Sequence, residues 1–154
     1  YEQALAAMDK SPMPSQTLLF PQVVEFSADD YASLVDLLPY LEKIGFRLSD
    51  FGKNTVMVEG IPNELGWGNE KQVLKEIIDY YLEHQQEYAS FREAIAASYA
   101  CKAAVKAGDT LVRDEMQNLV DRLFATKHPY YCPHGRPIIV NLSLDELDRR
   151  FERT

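Results

Sequence analysis

The chain has 154 residues, 46% of them hydrophobic and 26% charged, with a formal net charge of −8 at pH 7. That balance belongs to a folded chain and excludes a disordered one, and the length suits one domain or two small subdomains sharing a core. The acidic charge argues against tight sequence-independent binding of a phosphate backbone by this chain alone, and no apolar run nears the roughly 18 residues that would span a bilayer.

Two cysteines, Cys101 and Cys132, are too few for a disulfide framework and fit a reducing compartment. The opening Tyr1-Glu2-Gln3-Ala4-Leu5 has no initiator Met, no basic start and no apolar centre. It reads as a stretch of a longer protein and not as a signal peptide.

In chain order, residues 1–8 read as the end of a helix, with Leu5 and Met8 three apart on one face. Residues 9–15, with Pro12 and Pro14, form a loop. Residues 16–26 make a strand divided by Pro21, which lacks an N–H and therefore belongs at a sheet edge. Ser27 and Asp30 form an N-terminal cap for a helix over 28–44, whose apolar face is Leu34, Leu37, Leu38, Leu41 and Ile44. Pro39 is expected to bend or break that helix, and Gly45 to end it. Residues 46–51 and 54–61 read as a hairpin turning at Gly52-Lys53, with Val56 and Val58 on one face. Residues 62–68 form a loop that holds the only tryptophan, Trp67.

A helix over 70–86 carries an apolar stripe of Val73, Leu74, Ile77, Ile78 and Tyr81. The next, over 90–107, is faced with Ala94, Ala96, Ala97, Ala100, Ala103, Ala104 and Ala107. So small a surface predicts a central helix packed closely against a sheet and ended by Gly108. A third helix, over 112–126, is expected to turn Met116, Leu119, Val120 and Leu123 inward. A short strand at 138–142 follows, then a last helix opened by a Ser143/Glu146 capping box and carrying Leu147 and Phe151. The fold class that follows is α+β. The block 28–86 has its own helix–hairpin–helix pattern and reads as an α/β insertion into a discontinuous subdomain, with a helix-covered sheet, made of residues 1–27 and 87–154.

The stretch with most chemistry is Tyr131-Cys132-Pro133-His134-Gly135-Arg136-Pro137. A thiolate and an imidazole two residues apart can reach one metal ion where the backbone turns sharply, and N and S donors suit zinc. Arg136 adds a planar fork for a carboxylate or phosphate. Two donors are half a site, and on spacing alone a structural Cys and His in a tight turn reads equally well. Cys101 and Lys102 sit mid-helix, where a small buried Cys is the plain reading. His84, at a polar helix end, and His128, before a proline, read as solvated or capping residues. The charge run 145–153 is an exposed helical face with Arg153 as its one candidate for a role. Gln16, Leu18, Leu19, Phe20 and Pro21 read either as a core strand or as an extended peptide that docks into an apolar groove.

Ala100-Cys101-Lys102, then Cys132-Pro133-His134-Gly135-Arg136-Pro137, then Phe151-Glu152-Arg153 stand in the order and rough spacing of the MutL DNA mismatch-repair family. The chain resembles the C-terminal dimerisation and endonuclease domain of that family's nicking type along essentially its whole length. The resemblance implies homodimerisation and metal-dependent nicking of duplex DNA by a latent endonuclease. It implies Cys132 and His134 as zinc ligands, with manganese or magnesium for nicking. Glu2, Lys102, Arg136 and Arg153 become catalytic-site residues that orient ligands or phosphate, and Cys101 supports the ligands from behind.

Glu2 matches the final glutamate of a family motif whose aspartate, histidine and first glutamate would precede Tyr1. The chain is therefore expected to hold part of a site and to be inactive alone. Gln16, Leu18, Leu19, Phe20 and Pro21 match the family's sliding-clamp-binding motif. The implied partners are a second copy, the sliding clamp, duplex DNA (held weakly), and the mismatch-recognition protein MutS, reached through the full-length, ATP-binding protein. The implied setting is the bacterial cytoplasm, on the nucleoid during repair of DNA damage, with no membrane. Residues 1–27 and 87–154 would form the dimerisation and endonuclease subdomain and 28–86 the regulatory one. The competing expectation is a non-catalytic dimerisation and clamp-binding module with a structural zinc.

Overall fold

A computed structural model describes residues 1–66 and 69–153. Trp67 and Gly68, the end of the loop expected over 62–68, lie outside the described residues. The chain divides into two compact units, Tyr1–Ala107 and Gly108–Thr154.

In the first unit Ser27 sets where the first long helix begins. Its hydroxyl accepts from the Asp30 N–H at 3.1 Å, satisfying an amide that has no partner inside the helix. Helix α2, Ala28–Lys43, follows, after the shorter α1, Glu2–Asp9. Of the two outcomes expected at Pro39, a bend or a break, the break does not occur: α2 runs through the proline without ending there. Leu41 and Ile44, both fully buried beyond the proline, hold its last turn in the core, each side chain contributing about 1.5–3 kcal/mol by leaving water. Gly45 does stop it. The Phe46 N–H reaches the Leu41 carbonyl at 3.0 Å and the Gly45 N–H the Glu42 carbonyl at 3.1 Å, with Gly45 at φ 99°. That is the Schellman arrangement, which needs a left-handed residue at this point.

The sheet is three-stranded and antiparallel, in the order β1-β3-β2: β1 is Ser15–Glu25, β2 Arg47–Gly52 and β3 Thr55–Pro62. Gly52 pairs with Thr55, so the hairpin loop is Lys53-Asn54 and not Gly52-Lys53. Lys53 and Asn54 have φ of 51° and 60°. Two successive left-handed residues match the twist of the flanking strands. Val56 and Val58 share the buried face, as expected. Strand β1 is an edge strand, where Pro21 has no ladder partner to lose. Its register with β3 shifts between Thr17, opposite Gly60, and Gln22, opposite Val58. Leu18, Leu19, Phe20 and Pro21 thus stand against the single residue Glu59.

Helix α3, Glu70–His84, buries Leu74, Ile77, Ile78 and Tyr81, while Val73 is partly buried. A short 3-10 turn, Gln85–Glu87, leads to α4, Phe91–Ala103. Helix α4 ends four residues earlier than its alanines predict. Ala104 is already extended, and the Lys106 ammonium donates to the Cys101 carbonyl, supplying a partner to a helix-end carbonyl. Its main neighbours are α3 and α1, not the sheet. The run Ala94, Ile95, Ala96, Ala97, Ser98, Tyr99 is buried all round, as suits a helix wedged among helices. On α1 the buried residues are Ala4 and Ala7, with Leu5 and Met8 only partly covered.

The second unit holds α5, Arg113–Phe124, and α6, Leu144–Arg150. Its first helix opens with the Glu115 carboxylate accepting from the Val112 N–H at 2.9 Å. The stripe expected to face inward is open instead: Met116, Leu119 and Val120 are 51, 48 and 47% exposed. Two short helices cannot enclose a core between them, and neither has a buried residue. The strand expected at 138–142 is absent. Among the described residues this stretch makes the isolated bridge Tyr131 with Pro137, and the Ile138 N–H donates to the Tyr130 carbonyl at 2.8 Å, after which no further strand pairing forms among them. Helix α6 begins as expected, Ser143 Oγ accepting from the Glu146 N–H at 3.2 Å. The α+β class is borne out.

Candidate functional site

The turn at Cys132 is built by its backbone. The Gly135 N–H donates to the Cys132 carbonyl at 2.9 Å, and the Cys132 N–H to the Arg136 carbonyl at 2.9 Å. Pro133 is pre-set for the first corner and Gly135, at φ 75°, takes the left-handed position that closes a three-residue loop. The closure brings Cys132 Sγ and His134 Nδ1 to 3.8 Å on an accessible surface. Two donors on one tetrahedral zinc stand about 3.5 Å apart, given bond lengths near 2.3 and 2.0 Å, so a small closing of this pair fits such an ion. Among the described residues no group of three His, Cys, Asp or Glu side chains gathers to hold a metal, and the pair supplies two donors of a set. Arg136 is exposed beside them, and its carbonyl closes the loop.

Cys101 and Lys102 lie in the last turns of α4, half-buried, in the first unit. The Lys102 ammonium is ion-paired with the Glu76 carboxylate of α3. Burial, and then the nearby Lys106 charge, pull the Lys102 ammonium below its usual range. Next to it the Cys101 thiol meets the Tyr80 phenol. Burial, the Tyr88 hydroxyl at 3.3 Å and Cys101 together push that phenol well above its ordinary value. His84 is not simply solvated: its ring stacks on Tyr80 at 4.2 Å.

Arg153 closes the end of α6. Its N–H donates to the Asp148 carbonyl at 3.0 Å and the Glu152 N–H to the Arg149 carbonyl at 3.2 Å, with Glu152 left-handed at φ 52°. Glu2 stands in the first turn of α1, half-buried. In β1, Gln16 Nε2 donates to the Leu65 carbonyl at 3.0 Å. Leu18 is buried, whereas Leu19 and Phe20 are 88 and 85% exposed, so the one segment feeds the core and presents two large apolar side chains outward.

Gln72, Glu76 and Tyr80 were not singled out by sequence reasoning. Their signal was legible: together with His84 they form a row of successive i,i+4 positions beside the apolar stripe of α3. What the row meets on α4 was not.

An open apolar helix face such as the α5 stripe of Met116, Leu119 and Val120 is of the kind that a partner surface normally covers. The family model described as the MutL C-terminal dimerisation domain matches residues 1–111. DNA mismatch repair protein MutL of Chlorobium limicola is 44% identical over all of this chain and 25% of its own length. The MutL proteins of Chloroherpeton thalassium and Chlorobaculum parvum are 43 and 41% identical, again over all of this chain, covering 24 and 25% of their lengths. The chain spans about a quarter of these relatives. It belongs to the MutL C-terminal dimerisation domain family of DNA mismatch repair.

Proposed function

We propose that this domain forms a homodimer and serves metal-dependent nicking of duplex DNA, recruited by the sliding clamp. The observation that carries the nicking reading is the convergence of Cys132 Sγ and His134 Nδ1 at 3.8 Å, in a turn built by Pro133 and Gly135. In this reading Cys132 and His134 hold a zinc ion, with manganese or magnesium supporting the reaction. A metal ion bound in such a site supplies charge to a scissile phosphate and acidifies a water. The chain's own part is to position. The closed loop fixes the angle between thiolate and imidazole. Arg136 offers two parallel N–H donors to a phosphate or a ligating carboxylate, Lys102 and Arg153 offer further cations, Cys101 backs the segment next to Lys102, and Glu2 supplies a carboxylate.

Homodimerisation is supported by the family's description and by the open stripe Met116, Leu119 and Val120 on α5. Clamp recruitment is supported by the outward Leu19 and Phe20, with Gln16 and Pro21 on the same edge strand and Leu18 anchoring it. Passage of a signal from MutS belongs to the longer protein. The subdomain division at 28–86 remains part of this proposal, with the middle block as its regulatory element.

The test is nicking of supercoiled plasmid, with manganese and clamp, by the full-length protein. Cys132→Ala and His134→Ala are expected to abolish nicking and to lower bound zinc. Zinc bound with no nicking by the wild-type protein would instead favour the non-catalytic structural-zinc module, and zinc lost with nicking unchanged would remove Cys132 and His134 from the reaction.

A further inference from the structure

Two successive residues of α4 are held by two residues one turn apart on α3. Glu76 engages the Lys102 ammonium, and Tyr80 lies against the Cys101 thiol. The Glu76 carboxylate is used at both oxygens: Oε2 takes Lys102, while Oε1 accepts from Gln72 Nε2 at 2.7 Å, so a side chain one turn further back fixes its plane. Lys102 and Glu76 are 31 and 33% exposed, partly shielded yet open to a polyanion arriving at the surface. A lone lysine on a helix end samples many rotamers and loses that freedom when it engages a ligand. A carboxylate anchored by a glutamine removes much of that loss beforehand.

We propose that Glu76, braced by Gln72, is a positioning residue for Lys102, so that helix α3 sets where the cation of the Ala100-Cys101-Lys102 segment stands. This rests on the reading of Lys102 as a nicking residue and adds to it a route of regulation. Helix α3 lies in the middle block, and any movement of α3 along α4 shifts the lysine with it.

The test is manganese-dependent nicking of supercoiled plasmid by the full-length protein, with kcat and KM for DNA read separately. Glu76→Gln keeps the shape and removes the charge. It is expected to lower kcat by about tenfold, with KM changed by less than about twofold, the signature of misplacement and not of lost binding. Glu76→Asp is expected to fall between. Adding Glu76→Gln to Lys102→Met is expected to cause no further loss, because no ammonium remains to be held; a merely structural carboxylate would show its loss in both backgrounds. Wild-type kcat in Glu76→Gln, with Lys102→Met impaired, overturns the positioning role alone. Wild-type kcat in Lys102→Met overturns the nicking role of Lys102 and this inference with it. If Glu76→Gln fails to fold, the exposed Gln72→Leu takes its place: a two- to threefold fall in kcat supports the brace, and an unchanged kcat overturns it.

Discussion

The Tyr31 hydroxyl donates to Oδ1 of Asp50, tying the first turn of α2 to strand β2 beside the hairpin. The same carboxylate oxygen accepts from the Gly52 N–H at 2.7 Å. The Tyr31 hydroxyl, and then the Gly52 amide, hold the Asp50 carboxyl below its usual range. Asp50 in turn, together with desolvation, pushes the Tyr31 phenol up.

The pH dependence follows in sign. Asp50 binds its proton less readily folded than unfolded, so its contribution is fully present above the ordinary carboxylate range, near pH 4, and is lost as pH falls through the depressed folded value. Tyr31 acts at the other end: its contribution is present below the ordinary phenol value, near 10, and is lost as pH rises through the raised one. Urea midpoints of wild type and Tyr31→Phe, measured from pH 2 to 7, are expected to converge at the acid end and separate above about pH 4. Parallel curves would remove Asp50 as the titrating partner.

Gly45→Ala is expected to destabilise the first unit by about 1–3 kcal/mol. The backbone there is left-handed, and an added Cβ would stand 3.1 Å from the Pro14 carbonyl oxygen and 3.3 Å from Pro62 Cα. Denaturant unfolding measures the loss, and a midpoint equal to wild type would contradict it.

Neighbours on β1 should respond in opposite ways. Leu18→Ala empties a buried site and is expected to cost about 2–5 kcal/mol. Leu19→Ala and Phe20→Ala are expected to stay within about 0.5 kcal/mol of wild type, yet to weaken capture by immobilised clamp at least tenfold if the recruitment reading holds. Unchanged clamp capture by both variants would remove this segment from recruitment.

At the end of α6, Glu152 occupies the left-handed position usually given to glycine. Glu152→Gly is expected to steady that terminus by roughly 0.5–1 kcal/mol. Slower amide exchange at Glu152 and Arg153, whose N–H groups close the motif, would register it; faster exchange would contradict it.

Local chemistry made much of the fold legible. Ser27, Gly45 and Ser143 mark helix ends because a cap is settled within a few residues, and the 3.6-residue stripes of α2 and α3 name their own buried faces. The misses depend on what lies across from a residue. Pro39 does not break α2 because Leu41 and Ile44 find a core. The alanines of α4 do not announce whether a sheet or other helices will surround them. Met116, Leu119 and Val120 show a stripe but not whether anything covers it. In the candidate site the Cys132–His134 pair could be read from spacing because the turn is local. Glu76 and Tyr80 could not be paired with Lys102 and Cys101, since nothing in α3 states which helix it meets.

The unequal lacing of the sheet has a consequence for how the chain assembles. The β2–β3 hairpin closes over a two-residue loop already bent the right way, so it can zip within the first unit before distant segments arrive. Strand β1 must bridge a far longer stretch of chain to reach β3, where Ser15 pairs with Pro62, and its register slips by three residues on the way. It is expected to pair later than the hairpin, since the longer loop costs more entropy to close. The edge that displays Leu19 and Phe20 is therefore also the edge closed by the longer loop of chain and interrupted by the bulge.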